Sequence, residues 1–218
     1  MKIAIDGPAG AGKSTVAKLL AKELGFIYID TGAMYRALTL KALRKNISLE
    51  NIESLIKLAK STEIQFKNED FRQDIYCDEE NVTEEIRSPE VNLNVSKLAS
   101  YPAIRDIMVK EQRKLARAFP VVMDGRDIGE CVLPDADFKF FVTASLEVRA
   151  KRRILELSKS GHHTTYIEVK DDIAQRDTSD ANRKVGALKI LDDSIIIDTS
   201  DKTIEEVLNL MIAYIKRE

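Results

Sequence analysis

Gly7-Pro8-Ala9-Gly10-Ala11-Gly12-Lys13-Ser14-Thr15 is the stretch on which the fold turns. It matches G-x-x-x-x-G-K-[ST] and lies between two differently patterned segments. Before it, Lys2 to Asp6 is a short apolar run that reads as a strand. After it, Val16, Leu19, Leu20 and Leu24 recur on one helical stripe, with Gly25 as the stop. Strand, glycine loop and helix in that order make a phosphate cradle. The glycines let successive N–H groups turn inward on an anion, and the helix presents its positive end to the same charge. Lys13 is placed to reach the β- and γ-phosphates of a nucleotide, and the Ser14 hydroxyl to ligate Mg²⁺. A strand–helix turn that binds nothing is the bland alternative, against which the flanking pattern argues.

Outward from the loop, the same rhythm continues. Phe26–Asp30 is a second apolar, β-branched run, followed by Thr31 as an expected N-cap and a helix-like stretch beginning at Ala33. Further strands are expected over residues 120–124, 138–142 and 194–198, each nearly all apolar, as strands covered on both faces are. Helices are expected over about 102–118, 145–159, 166–178 and 202–216. The class is α/β, a P-loop NTPase three-layer fold whose parallel central sheet is flanked by helices. Residues 61–87 break the rhythm with short strand-like pieces between charged turns, which suits a small antiparallel insert. Ser88-Pro89 then reads as an N-cap followed by a first-turn proline.

Composition narrows the class. The 218 residues carry 34 Lys+Arg against 36 Asp+Glu, a net charge of −2 without the basic excess of a nucleic-acid binder. No apolar run approaches the roughly 18 residues of a membrane span. The first residues enter a strand at once, with no room for a cleavable leader, so a cytoplasmic protein is expected. Cys77 and Cys131 lack metal-ligand spacing, His162-His163 lacks further ligands, and a monomer is expected because no amphipathic seam is left over.

A phosphate loop leaves switch, motor and kinase open. The chain has no Asn-Lys-x-Asp of a GTPase, and the strand ending at Asp124 is followed by Gly125 rather than by a second acidic residue. Asp124 reads either as a water-mediated Mg²⁺ ligand beside the loop or as the first residue of an Asp-Gly turn. Arginines decide further. Arg149, Arg152 and Arg153 share one helix face, Arg176 and Arg183 follow, and Arg36 and Arg126 sit near the first strands. A basic stripe is commonly a solvated face. Guanidinium groups gathered near one phosphate loop instead suit the bidentate neutralisation of more than one phosphate.

Those motifs, with DTGAMYRA from Asp30, EEIRSPEV from Glu84, VSKLASYPAIR from Val95, MDGRDIG from Met123, RAKRR from Arg149 and RDTSDANR from Arg176, resemble bacterial cytidylate kinases in family order across residues 3–183. The resemblance implies a nucleoside monophosphate kinase that moves the γ-phosphoryl of ATP to CMP or dCMP with Mg²⁺. It implies ATP on Gly7 through Thr15, and Thr31, Tyr35, Arg36 and Arg126 around the acceptor phosphate. It places Ser96, Arg105 and Asp127 at the cytosine, Arg176 and Asp180 at the sugar hydroxyls, and Lys13, Arg126, Arg153 and Arg183 on the transferring group. It also implies one kinase domain made of a core (1–60, 101–148, 184–218), an acceptor-binding insert region (61–100) and a mobile arginine-rich lid (149–183). The chain departs from relatives at Thr178, Ser179 and Ala181, where charge is common. Cytosine recognition also has its own logic: an ionised Asp accepts from the N4 amino group, and Arg and Ser donate to N3 and O2. Asp127 read without that pocket is an N-cap or the partner of a neighbouring arginine. A P-loop kinase for another small acceptor, or a slowly hydrolysing switch, would share the phosphate loop alone.

Overall fold

The computed structural model describes residues 1–69, 72–159 and 164–217; His162-His163 and, within the expected insert, Asp70 lie outside the described residues. The chain runs β1 (Lys2–Asp6), α1 (Lys13–Leu24), β2 (Ile27–Asp30), α2 (Thr31–Arg44), α3 (Ile52–Lys60), β3 (Ile64–Glu69), β4 (Arg72–Cys77), β5 (Glu80–Asn81), α4 (Pro89–Ala99), α5 (Pro102–Ala118), β6 (Val121–Gly125), β7 (Phe138–Thr143), α6 (Leu146–Lys159), α7 (Tyr166–Ala181), β8 (Ile195–Asp198) and α8 (Ile204–Ile215). A π-helical turn, Ile128–Val132, follows β6.

Five parallel strands form the central sheet in the order β2-β6-β1-β7-β8. Alternation along each strand sends side chains to two cores. Ile3 and Ile5 of β1, Val122 of β6 and Phe138, Phe140 and Val142 of β7 pack under α1 and α8. Ala4, Ile29, Val121 and Met123 face the other way, toward α5 and the π-turn. Both faces are therefore buried, which is why the strands read as nearly unbroken apolar runs.

The insert is a separate antiparallel sheet, β3-β4-β5, with Ile64 opposite Cys77. It leans on α2: Ala33, Ala37 and Leu40 meet Ile75 and Val82. The opposite side of α2, with Leu38 and Ala42, meets α3, α4 and α5. Gln73 ties the insert to the main sheet by donating to the Tyr28 carbonyl at 2.5 Å. The α6–α7 hairpin has its own small core of Ala150, Val169 and Ile173. Among the described residues, no helix is long and apolar enough to cross a membrane.

Two expectations shift. Helix α2 begins at Thr31 and not after it, because Asp30 takes the N-cap and accepts from the Ala33 N–H at 2.9 Å. Helix α3, which the sequence left unassigned, forms over an Asn51 cap with Leu55, Leu58 and Ala59 buried.

Candidate active site

Four of the five parallel strands end in aspartate: Asp6 and Asp30 directly, Asp124 one residue before the end of β6, and Asp198. In an open parallel sheet the carboxyl ends of the strands face the ligand crevice. Here that edge collects the phosphate loop between β1 and α1. Gly7 has φ +146°, and a β-carbon there would overlap the Val142 carbonyl of the neighbouring strand, so the loop can leave the sheet only through glycine. Helix α1 starts on Gly12 with no side-chain cap, which leaves its first N–H groups open to an anion. Lys13 lies buried beneath the loop and donates to the Pro8 carbonyl at 2.7 Å. Burial first, then the neighbouring Arg126, bring its pKa down from 10.5 to about 7.

Beside the loop, Asp124 is a buried carboxylate held on both oxygens. The Ser14 hydroxyl donates to Oδ2 at 2.8 Å and the Tyr28 hydroxyl to Oδ1 at 2.7 Å. Burial and then the charge of Asp30 raise its pKa. Thr31, expected near the acceptor phosphate, donates its hydroxyl to the Asp124 backbone carbonyl at 2.7 Å and so fixes the end of β6. Asp30 answers with Arg36, whose Nη2 lies 2.7 Å from Oδ2. Burial works against the Asp30 charge, but Arg36 and the Ala33 N–H outweigh it and its pKa falls.

A second group faces the loop from α7. Asp180, 1% exposed, accepts from Arg126 Nε at 2.6 Å and pairs with Arg183. Arg176 is half-buried beside them, and desolvation followed by Arg126 lowers its pKa to about 10. The Nε–H groups of Arg36, Arg176 and Arg183, and the Tyr35 hydroxyl, are buried without a hydrogen-bond partner. Buried donors without acceptors cost stability unless a ligand supplies the acceptors. Several guanidinium groups and one ammonium thus gather here, some of their buried donors without an acceptor.

Arg105 and Asp127 form the third group. They make a buried ion pair, with Arg105 only 2% exposed. Arg105 Nη1 also donates to the Ala99 carbonyl at 3.2 Å, and its guanidinium lies 5.6 Å from the centre of the Tyr35 ring. Ser96 is half-buried on α4, one turn before Ala99. Gly186 covers the pair from above, so the ion pair sits between the 183–188 segment and the sheet edge. Asp127 is thus paired with an arginine, and although it occupies the N-cap of the π-turn its side chain makes no capping bond.

One expected residue stays apart. Arg153 points outward from α6, its side chain 37% exposed and 3.1 Å from Glu156. Its neighbours on the helix face instead reach the loop. Arg149 Nη1 donates to the Ala9 carbonyl at 3.2 Å and pairs with Asp177 at 2.7 Å, while Arg152 holds Thr199, whose hydroxyl donates to the Ala11 carbonyl at 3.0 Å. Asp6 and Tyr28 are the other site residues that the motifs do not announce. The recurring aspartate at strand ends was the available signal for Asp6.

Set beside known proteins, the model of the family described as cytidylate kinase matches residues 3–217. The cytidylate kinase of Caldanaerobacter subterraneus is 54% identical over 217 residues, covering 100% of this chain and 95% of that protein. The cytidylate kinase of Clostridioides difficile is 48% identical over 213 residues, covering 98% and 97%. Among solved structures, the shikimate kinase of Bacteroides thetaiotaomicron superposes with a TM-score of 0.50 at 15% identity over 99% of this chain and 98% of that one, a likeness of fold.

Proposed function

The chain belongs to the cytidylate kinase family and is a nucleoside monophosphate kinase that phosphorylates CMP or dCMP with ATP; we propose that the site above performs this transfer with the following division of roles. ATP lies with its phosphates in the loop Gly7–Thr15, against Lys13 and the open end of α1. CMP lies opposite, its phosphate on Arg36, Arg126 and the Tyr35 hydroxyl. Asp127, Arg105 and Ser96 read the cytosine, and Arg176 and Asp180 hold the sugar. The observation that carries this reading is the surplus of buried donors around Lys13 and Arg126, which a single triphosphate on the loop alone would leave unpaired.

The residues present fit a divalent cation. Ser14 Oγ and the Asp124 carboxylate, 2.8 Å apart, are hard oxygen donors suited to Mg²⁺, and Asp124 buried near Asp30 is a carboxylate short of positive charge. Ser14 and, through water, Asp124 would hold Mg²⁺, which would supply positive charge against the triphosphate. The rest belongs to the chain's own groups. An oxygen of the CMP phosphate forms a bond to the γ-phosphorus of ATP, and the bond from that phosphorus to the β–γ bridging oxygen breaks, giving CDP and ADP. The acceptor phosphate is mostly dianionic at neutral pH, since its second pKa is about 6, so no general base is required. Lys13, Arg126 and Arg183 hold the two anions in line and stabilise the charge spread over the transferring oxygens. Arg153 joins them only after movement of α6, and closure of the 149–183 region would exclude water that competes for the phosphoryl group. Residues 61–100 then form the acceptor side of one domain. The enzyme works as a cytoplasmic monomer on these small molecules, independent of nucleic acid.

Mixing the protein with Mg-ATP and a panel of acceptors, while following ADP, tests this. Release stimulated by CMP and dCMP well beyond other acceptors is the expected result. Slow, acceptor-independent release would mark a nucleotide switch.

A further inference from the structure

Asp6 is the last residue of β1 and immediately precedes the phosphate loop, yet its carboxylate bonds to a different segment. Oδ1 accepts from the Ile128 N–H and Oδ2 from the Gly129 N–H, each at 2.8 Å. Both oxygens are thus used on successive amides, 122 and 123 residues further along the chain. The side chain is buried, so these bonds face little competition from water. Those amides open the π-turn Ile128–Val132, whose own N-cap residue, Asp127, caps nothing with its side chain. The first N–H groups of such a turn need acceptors. An aspartate at the N-cap normally supplies one, and doing so would turn the Asp127 carboxylate back onto its own backbone. Asp6 supplies the acceptors from a neighbouring strand, and the Asp127 carboxylate is left free to face Arg105.

We propose that Asp6 is a positioning residue for the acceptor nucleotide: by capping the 128–132 turn from β1 it holds Arg126 and Asp127 in fixed relation to the phosphate loop. This rests on the reading of Arg126 and Asp127 given above. The strand register supports it, because Asp6 lies opposite Gly125 in the sheet and its carboxylate extends that alignment past the strand ends. One residue thereby belongs to both halves of the site, joined by its backbone to the donor loop and by its side chain to the acceptor loop. Burial raises its pKa to about 6 against the pull of the two amides, so it is a carboxylate at neutral pH.

The test is Asp6→Asn, which keeps the shape but turns one acceptor into a donor facing an N–H. The Kd for CMP is expected to rise about 10- to 100-fold, the loss that accompanies a charged hydrogen bond. The preference for CMP over UMP should fall with it, while the Kd for a non-hydrolysable ATP analogue moves by less than about 2-fold. The amide proton resonances of residues 128 and 129 should shift upfield as they lose the carboxylate. Equal weakening of both nucleotides, or no change in CMP binding, overturns the proposal. Asp127→Ala is the companion arm. If it leaves CMP affinity intact, the base-site reading itself fails; if it weakens CMP and Asp6→Asn does not, only the role of Asp6 fails. Should Asp6→Asn not fold, hydrogen exchange in the unaltered protein decides: slow exchange at both Ile128 and Gly129 is expected, and fast exchange at both overturns the proposal.

Discussion

Lys13 and Arg126 share one buried site, and the guanidinium holds the ammonium's pKa down after burial has already lowered it, from 10.5 to about 7. The free protein therefore gives up the Lys13 proton near neutrality. The unfolded chain keeps this proton up to about 10.5, whereas the fold gives it up near 7. Between those values the unfolded state binds more protons, so this group's contribution to stability rises with pH. A polyphosphate reverses the balance by pulling the proton back onto Lys13. Binding of a non-hydrolysable ATP analogue at pH 8 should therefore take up close to one proton and weaken as pH climbs. Titration calorimetry in two buffers of different ionisation enthalpy measures this, and Lys13→Met should abolish the uptake. Equal heats in both buffers would mean that Lys13 is charged throughout.

Removing either cation should cost the transition state more than the ground state. Lys13→Ala and Arg126→Ala are each expected to remove about 3 kcal/mol of transition-state stabilisation, read as the fall in kcat/KM for CMP. The two losses should not add, because both groups act on the same developing charge and Arg126 also holds down the pKa of Lys13. Near-native turnover by either variant contradicts the role assigned to it.

The proposed site assigns base selectivity to the Asp127 side chain. Asn in its place offers an amide that can face the O4 of uracil, so Asp127→Asn should lose CMP affinity and gain UMP relative to it, narrowing the preference by roughly 1–3 kcal/mol. The buried Arg105 loses its counter-ion in that variant, so a lower Tm is expected alongside. Comparing kcat/KM for the two nucleotides separates recognition from stability, since both substrates meet the same destabilised protein.

Much of this architecture is legible without coordinates, and the exceptions have physical reasons. The parallel sheet announces itself because strands buried on both faces are mostly apolar, as β1, β6 and β7 are. The insert is legible because Ile64 and Phe66, and Ile75 and Cys77, alternate with polar residues. Thr31 is misleading as a cap because Asp30, one residue earlier, is an equally good acceptor, and extended geometry at Asp30 settles the choice. Helix α3 hides because only Leu55, Leu58 and Ala59 are fully buried in nine residues. The phosphate loop is a local motif and reads directly. The bonds from Asp6 to Ile128 and Gly129 join distant segments and depend on strand order, β1 beside β6, which no short pattern encodes.

The Asp124 carboxylate should matter to the cation more than to the fold. Asn in its place can still accept from Ser14 or Tyr28, and it removes a charge that burial and Asp30 both disfavour. Asp124→Asn is therefore expected to keep or raise the Tm without Mg²⁺, while the Mg²⁺ concentration for half-maximal turnover rises by about 10-fold or more. A lowered Tm with an unchanged Mg²⁺ requirement would make Asp124 a structural turn residue.

Arg153 offers the sharpest test of movement. Its bond to Glu156 joins two exposed side chains, a pairing worth at most about 1 kcal/mol. The guanidinium is thus held away from the site by little. The hairpin that carries it is braced by Ala150, Val169 and Ile173 and joined to the loop through Arg149. Displacement of α6 toward bound nucleotides therefore carries Arg153 with its neighbours. Arg153→Ala should lower kcat about 100-fold, as loss of one donor to the transferring group does, with ATP and CMP affinities nearly unchanged. Glu156→Ala removes the outward partner and should leave kcat at or slightly above its normal value. Were Arg153→Ala to raise KM for ATP at constant kcat, its role would be ground-state binding of the donor and not the transfer itself.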